Sequence, residues 1–198
     1  MSDDNAVIER SADEPAAFAM LFDRHAPTIH RYAARRLGVQ AADDIMSETF
    51  LVAFERRRAY DPAASDARPW LLGIATVLMK RHARLEARAW RGMVAGVAAE
   101  ITPDLIELAG VRIDAERTSR KLASALRSMP ARDRDTLLLY AWGDLDYEGV
   151  ARALEVPVGT VRSRLNRARR VLRAAAGRSG ETELERDHGR ADAAPQGT

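Results

Sequence analysis

Apolar side chains recur at helical spacing along most of this chain, and no segment alternates with the period of a strand. Between residues 14 and 90 the pattern predicts successive helices, with Gly38 as a C-cap and the next helix beginning near Ala41. A further helix begins near Pro69 and becomes basic in its C-terminal half. A second helical unit occupies residues 117–176. The pattern therefore predicts an all-α chain made of two small helical domains.

Three segments lack this periodicity. Residues 1–13 are acidic, residues 91–116 are interrupted by glycine and proline, and residues 177–198 are polar. Such compositions bury too little apolar surface to offset the entropy of ordering. We therefore expect a disordered N-terminus and tail, and a flexible linker between the two domains.

The sharpest local signal is a helix-turn-helix pattern over residues 147–173. Pro157 requires the first helix to end near Glu155, because a proline ring is excluded from a helix interior. Gly159 or Thr160 is the predicted N-cap of the second helix. Such turns commonly place glycine in the left-handed position that Glu155 occupies here, which costs about 1 kcal/mol.

The second helix of this pattern has one apolar face and one cationic face. Between Val156 and Gly180 the chain contains no acidic residue. A purely cationic helix face suits a DNA major groove, whereas a solvated amphipathic helix, the alternative, usually mixes charges. The outward arginines are Arg162, Arg164, Arg167, Arg169, Arg170 and Arg173.

The formal net charge of +2 over 198 residues conceals how the cations are distributed. Nearly all of them are arginines, since Lys80 and Lys121 are the only lysines. The planar guanidinium binds phosphate and guanine in a bidentate manner, which favours nucleic acid as a partner. A second basic surface therefore lies on the first half of the chain, at Lys80, Arg81, Arg84 and Arg88.

Other functional classes are excluded by what the sequence lacks. Without cysteine the chain has neither disulfides nor thiolate metal sites. His25 and His30 have the wrong spacing for one helix face, and no glycine-rich phosphate loop is present. We therefore expect no catalytic residues, no metal and no cofactor. The N-terminus lacks an apolar signal segment, and no apolar run approaches the roughly 20 residues that cross a bilayer, so we expect a soluble, cytoplasmic protein.

Four motifs follow one another in a distinctive order. They are FAMLFDRHAPTIHRYAARRLG, ADDIMSETFLVAF, ARPWLLGIATVLMKRHAR and LRSMPARDRDTLLLYAWGDLDYEGVARALEVPVGTVRSRLNRARR. In this order the chain resembles an extracytoplasmic-function (ECF) sigma factor of the sigma-70 family. The resemblance implies a sigma-2 domain at 14–90, which binds the polymerase clamp and the −10 element, and a sigma-4 domain at 117–176, which binds the polymerase flap and the −35 element. It also implies a transcription initiation factor that binds core RNA polymerase, directs it to promoters and aids promoter melting.

The resemblance assigns the −35 contacts to the second helix of the helix-turn-helix. Arg162 or Arg167 would fork onto guanine, and Asn166 would pair with adenine. Arg164, Arg169 and Arg170 are better placed for phosphates. The full predicted −35 set is Thr160, Arg162, Ser163, Arg164, Asn166, Arg167, Arg169 and Arg170.

The resemblance assigns the −10 contacts to the basic helix and the loop before it. The loop from Tyr60 to Asp66 is a candidate pocket for an extruded base. Val77 stands where the family often has asparagine, so −10 specificity rests on other residues or is looser. The full predicted −10 set is Tyr60, Arg68, Val77, Lys80, Arg81, Arg84 and Arg88.

A polar helix face in the second motif has two interpretations. From the residues alone, its acids compensate the helix dipole and are solvated. The family resemblance instead makes them a docking surface for a basic coiled coil of the polymerase clamp. The predicted polymerase-binding residues are Asp43, Asp44, Ser47 and Glu48.

A stand-alone helix-turn-helix regulator is the alternative function, with the N-terminal half as a ligand-binding or dimerisation module. The second basic surface argues against it, because a repressor that reads one site does not need that surface. The family also implies that, in the free protein, the two basic faces fold together or are masked by an anti-sigma partner.

Overall fold

The computed structural model describes the backbone of residues 4–64, 66–93 and 113–188, and the side chains of 4–64, 66–86 and 120–176. Every regular element in these residues is helical, so the predicted all-α class is confirmed. Short 3-10 turns occupy Pro15–Phe18 and Arg57–Ala59. The α-helices are, in chain order, α1 Asp4–Arg10, α2 Ala19–Leu37, α3 Val39–Arg56, α4 Arg68–Met93, α5 Ile113–Ser128, α6 Ala131–Trp142, α7 Tyr147–Leu154 and α8 Val158–His188.

Helices α2, α3 and α4 form the core of the N-terminal half. Gly38 joins α2 to α3 with φ +84°, and its N–H donates to the Ala34 carbonyl at 2.9 Å, which confirms the predicted C-cap. Glycine adopts such a positive φ without steric cost, so α3 begins at once at Val39 rather than near Ala41. Fully buried side chains of this core include Leu21, Ile29, Tyr32, Ile45, Leu71 and Leu72.

Helices occupy parts of the two terminal segments for which disorder was expected, while residues 1–3 and 189–198 lie outside the described part of the chain. Helix α1 lies where the sequence predicted an unstructured N-terminus, and it buries Val7 and Ile8 against the N-terminal half. Two adjacent apolar residues are too few to give a periodic signal, yet they are enough to anchor a short helix. Helix α8 likewise continues past Gly177 to His188, and the part of this stretch from Glu183 to Arg186 consists of good helix formers. Of the predicted linker at 91–116, residues 94–112 lie outside the described part of the chain.

The C-terminal half consists of α5 to α8, and it packs against the N-terminal half through α4 and α7. A Cβ built on Gly73 of α4 would lie 2.5 Å from the Ala153 carbonyl oxygen, so the two backbones touch there. On α6, Leu139 is fully buried and belongs to the same apolar cluster as Leu72 of α4. The two halves therefore share one hydrophobic core.

A buried polar network crosses this interface. Asp135 of α6 is 1% exposed; it accepts a hydrogen bond from Arg36 at 2.7 Å and lies 2.7 Å from the Lys80 ammonium. Arg36 also donates to the Tyr32 hydroxyl at 3.0 Å, and that hydroxyl is 3.2 Å from Thr76 Oγ1. Burial raises the pKa of Tyr32; it opposes charge on Arg36, but Tyr32 and Asp135 outweigh it and raise the Arg36 pKa. One buried carboxylate thus binds two cations from the other half.

Candidate nucleic-acid interface

The helix-turn-helix begins with a well-capped α7. The Asp146 side chain accepts a hydrogen bond from the Gly149 N–H at 2.6 Å and forms the N-cap. The helix ends at Leu154, and Glu155 follows in the left-handed conformation with φ 53° and ψ 48°. The predicted end of the helix and the predicted position of Glu155 are both confirmed.

The start of α8 corrects one expectation. The helix begins at Val158, and the Thr160 N–H donates to the Pro157 carbonyl at 2.8 Å, so neither Gly159 nor Thr160 is the cap. Proline suits the position before the first turn, because its fixed φ and missing N–H cost nothing there. Thr160 is half-buried within the first turn, and its carbonyl accepts a hydrogen bond from Ser163 at 2.9 Å.

Helix α8 presents its two faces as the sequence pattern requires. Val161, Leu165 and Ala168 are completely buried against the rest of the C-terminal half. Arg164 and Arg169 are half-buried, at the boundary between the buried and the exposed face of the helix. The exposed face carries the donors suited to base edges and phosphates, namely Arg162, Ser163, Asn166, Arg167, Arg170 and Arg173.

Arg167 already has an anionic partner within the chain. Its Nε and one terminal nitrogen each donate to a carboxylate oxygen of Asp133 at 3.0 Å, a bidentate pair. These hydrogen bonds raise the pKa of Arg167, and Asp133 itself is 4% exposed. Since the Arg167 side chain is 45% exposed, an external acceptor can approach the open side of its guanidinium.

Arg169 is held by two tyrosines. Both of its terminal nitrogens lie 3.4 Å from the Tyr147 hydroxyl, and its guanidinium carbon lies 5.6 Å from the centre of the Tyr140 ring. The hydrogen bond from Arg169 to Tyr147 raises the pKa of the arginine. The contacts give Arg169 a fixed position beside the exposed face, which suits a phosphate contact.

Helix α4 exposes part of the predicted −10 set on one face. Val77 is 64% exposed, the Arg81 side chain is 70% exposed, and Arg84 is also exposed. Lys80 is the exception, because its ammonium binds the buried Asp135 in the other half. The side chain of Arg88 lies outside the described residues.

Tyr60 and Arg68 support the loop before α4. The Tyr60 ring is buried with its centre 5.0 Å from that of Trp70, and its hydroxyl donates to the Ala64 carbonyl at 2.7 Å. This differs from the expectation that the ring is open to an extruded base. Arg68 pairs with Asp66 at 2.8 Å; burial opposes charge on this acid, but Arg68 outweighs it and lowers the Asp66 pKa.

The four predicted polymerase-binding residues lie together on the outer face of α3. Asp43, Asp44 and Ser47 are exposed, and Glu48 is partly exposed. Asp43 lies 3.3 Å from the His30 ring nitrogen, and Glu48 lies 3.5 Å from Arg81 of α4. The acidic surface and the cationic face of α4 are therefore neighbours on the N-terminal half.

Sequence inspection missed the acids that bind two of the cations predicted to contact DNA, Lys80 and Arg167. Asp133 and Asp135 stand in the alternating run Arg132-Asp133-Arg134-Asp135, which resembles an ordinary solvated helix start. Both are buried, and their partners are distant in sequence. The signal that these acids are ion-pair partners is their burial on a short helix. Sequence inspection could not detect it, because burial follows from tertiary packing.

One cluster in the described residues has a metal-like composition. Ligand atoms of Asp4, His25 and Asp66 lie within 4.8 Å of one another. Arg24 and the Ala67 N–H already bind Asp4, and Arg68 binds Asp66, so these carboxylates are neutralised by protein donors. The cluster is accounted for as an internal ion-pair network. Among the described helices, none combines the length and apolar character needed to cross a membrane.

Comparisons with known proteins point in one direction. The family model for Sigma-70 region 2 matches residues 21–106, and that for Sigma-70, region 4 matches residues 119–172. The ECF RNA polymerase sigma factor SigL of Mycobacterium tuberculosis is 30% identical over 167 residues, which are 82% of this chain and 90% of that protein. SigE of Mycolicibacterium smegmatis is 32% identical over 176 residues, which are 85% of this chain and 65% of that protein.

Two solved structures share the fold. The structure of CnrH in complex with the cytosolic domain of CnrY aligns with a TM-score of 0.58 at 23% identity, over 86% of this chain and 95% of that one. RpoE in complex with the anti-sigma factor NepR from Bartonella quintana aligns with a TM-score of 0.56 at 18% identity, over 80% of this chain and 95% of that one.

Proposed function

Because this chain belongs to the ECF sigma factors of the sigma-70 family, transcription initiation factors that bind core RNA polymerase and direct it to promoters, we propose that its two cationic faces read the two promoter elements. The observation that supports this proposal most strongly is the two-faced structure of α8. Its residues Val161, Leu165 and Ala168 are completely buried, while Asn166 and most of its arginines face outward. The units at 14–90 and 117–176 act as the two recognition domains. The protein works in the cytoplasm and catalyses no reaction of its own.

Base reading at −35 belongs to the exposed residues of α8. Arg162, Ser163, Asn166 and Arg167 face outward within two turns, the length of helix that enters a major groove. Arg167 can reach guanine after it exchanges Asp133 for the base edge. Arg170 and the edge residues Arg164 and Arg169 contact phosphates, and Thr160 lies at the end of the helix that approaches the DNA backbone.

Recognition at −10 belongs to the face of α4 that carries Val77, Arg81 and Arg84. The two arginines line a path for the melted strand, and Lys80 joins them when it leaves Asp135. Arg88 extends the same series along the chain. Tyr60 and Arg68 act indirectly, since they brace the loop that leads into α4.

The acidic face of α3 docks on a basic surface of the polymerase clamp. Three of the four predicted residues are exposed and the fourth, Glu48, borders the cationic face of α4. Opposite charges on the two proteins orient the encounter and select the partner.

Promoter binding requires the two halves to separate. The −35 and −10 elements are about 25 base pairs apart, or ~85 Å at 3.4 Å per base pair. In this structure Lys80 of one half touches Asp135 of the other at 2.7 Å, so both elements cannot be reached at once. The closed form is the resting form. An anti-sigma protein is the natural partner to hold it, as the anti-sigma factor NepR is found in complex with RpoE, which shares the fold.

In vitro transcription with purified core RNA polymerase tests the function. The full chain is expected to form a holoenzyme and to start RNA synthesis at one position on a cognate promoter. A chain that binds promoter DNA without binding core polymerase is instead a stand-alone regulator.

A gel-shift series tests the division of labour on α8. Arg167→Ala is expected to relax sequence preference at one base pair of −35 by about 1–3 kcal/mol, because a bidentate contact to that base is lost. Arg170→Ala is expected to weaken binding to specific and scrambled DNA alike. Equal losses for both variants on both DNAs contradict the assignment.

A further inference from the structure

Helix α1 lies before the start of the Sigma-70 region 2 match at residue 21, and none of the proposed DNA or polymerase contacts uses it. Its first residue, Asp4, is nevertheless 4% exposed. The carboxylate accepts hydrogen bonds from Arg24, from His25 at 2.9 Å and from the Ala67 N–H at 2.9 Å. A buried carboxylate is unfavourable unless it is paired and hydrogen-bonded, and these three contacts supply the pairing that Asp4 needs.

The partners of Asp4 belong to the elements that flank the −10 surface. Arg24 and His25 are on α2, whereas Ala67 is the residue directly before α4. The hydrogen bond to Ala67 satisfies a backbone donor at the start of α4, where no intrahelical acceptor exists. Asp4 therefore fixes the point at which the loop turns into the −10 helix.

A second residue of α1 binds the same loop further back. The Asn5 side-chain amide donates to the Pro62 carbonyl at 2.7 Å. Just beyond α1, the Ser11 carbonyl accepts a hydrogen bond from Arg57 at 3.2 Å, at the turn that leads to Tyr60. Contacts from the N-terminal segment thus reach the beginning, middle and end of the connection between α3 and α4.

We propose that residues 4–11 are a positioning element for −10 recognition, with Asp4 and Asn5 as its positioning residues. They hold the loop residues 60–64 and 66 and the start of α4 at the place where promoter DNA must open. This inference rests on the proposed function of α4 and its loop. The N-terminal segment touches neither DNA nor polymerase in this role, and acts by limiting the positions that the loop can take.

The experiment uses full-length Asp4→Ala and Asn5→Ala with a saturating amount of core RNA polymerase. Permanganate reactivity of thymines reports −10 opening, and a set of −10 base variants reports sequence preference. Glu9→Ala is the matched control, because it removes an exposed acid from the same helix. Asp4→Ala is expected to lower the yield of open complexes about tenfold, the effect of losing a hydrogen bond to a buried charged group. Asn5→Ala is expected to act in the same direction with a smaller effect, and both are expected to flatten the −10 preference profile.

Holoenzyme formation and −35 binding are expected to stay at the wild-type level in both variants. Wild-type opening and an unchanged −10 profile for both variants overturn the inference, as does a loss of opening that only parallels a loss of core binding. Because Asn5 is only half-buried and uncharged, its variant costs the fold less than Asp4→Ala and keeps the test decisive even where Asp4→Ala unfolds the segment. The double variant Arg81→Ala/Arg84→Ala tests the proposed function of α4 separately from the positioning role of α1. If this variant opens promoters normally, the proposed function of α4 is wrong, whatever the result for α1.

Discussion

At the scale of single residues, the cations predicted to contact DNA differ in the partner that each binds within the chain. Lys80 and Arg167 each bind a buried acid of α6, whereas Arg81 lies 3.5 Å from the partly exposed Glu48 of α3. The residue types and the helix faces that carry them were predictable, because periodicity alone decides which side chains share a face. The pairs were not predictable, because an ion pair between distant parts of the chain depends on how helices pack.

Val77 offers a test at this scale. Since its side chain is 64% exposed, Val77→Asn is expected to change the free energy of unfolding by no more than about 0.5 kcal/mol. The added amide is expected to increase discrimination at one −10 base by about 1–3 kcal/mol, because it supplies the donor and acceptor that valine lacks. Transcription from promoters carrying each base at each −10 position measures this.

Val39→Asn is the matched control for that change, because Val39 is 67% exposed and lies away from α4, at the start of α3. It is expected to leave the −10 profile unchanged. A Val77→Asn profile identical to the wild type shows that this position does not face a base.

Individual elements show which local rules were sufficient. The end of α7 and the left-handed Glu155 followed from proline exclusion and turn chemistry, and both are observed. The start of α8 did not follow, because two acceptable capping residues stood just after a proline that precedes the helix. Helix α1 was missed because seven residues are too short to form a stable helix by their own helix propensity. Its stability comes from tertiary packing, in which Asp4, Val7 and Ile8 are buried against the N-terminal half.

Glu155→Gly is expected to stabilise the helix-turn-helix by about 1 kcal/mol, since glycine adopts the left-handed conformation without the Cβ clash. Urea denaturation followed by circular dichroism measures the change. Glu155→Asn is expected to fall between wild type and glycine, because asparagine tolerates the same region. A lower stability for the glycine variant means that the glutamate side chain makes a contact worth more than the backbone strain.

At the scale of the whole molecule, the arrangement of the two halves depends on an interface that the sequence pattern of neither half predicts. Two amphipathic units were predictable from sequence, but their packing through Gly73 and Ala153 was not, because backbone contact leaves no periodic signal. Asp135 adds the charged part of this interface and binds one residue from α2 and one from α4. The closed form is therefore stabilised by both shape and charge.

Asp135→Asn is expected to open the molecule. Removing the carboxylate leaves Arg36 buried without its anion, a loss of about 3–5 kcal/mol for a broken buried pair. Small-angle scattering is expected to show a larger radius of gyration with helical content retained, and core polymerase is expected to bind more tightly because less energy is spent on opening.

Asp23→Asn serves as the control, since it removes an exposed acid from α2. Gly73→Ala provides an uncharged route to the same state, because its Cβ would meet the Ala153 carbonyl at 2.5 Å. If both interface variants keep the wild-type dimensions, the closed form does not depend on these contacts.

The burial of Asp135 also determines how the protein responds to ionic strength. Counterions screen exposed arginines strongly, so contacts to DNA phosphates weaken steeply as salt is added. A carboxylate that is 1% exposed is screened far less, and apolar burial does not weaken with added salt. Rising ionic strength thus weakens the DNA contacts that favour the open form, while it leaves the stability of the closed form almost unchanged. In concentrated salt we therefore expect the closed form to predominate even in the presence of promoter DNA.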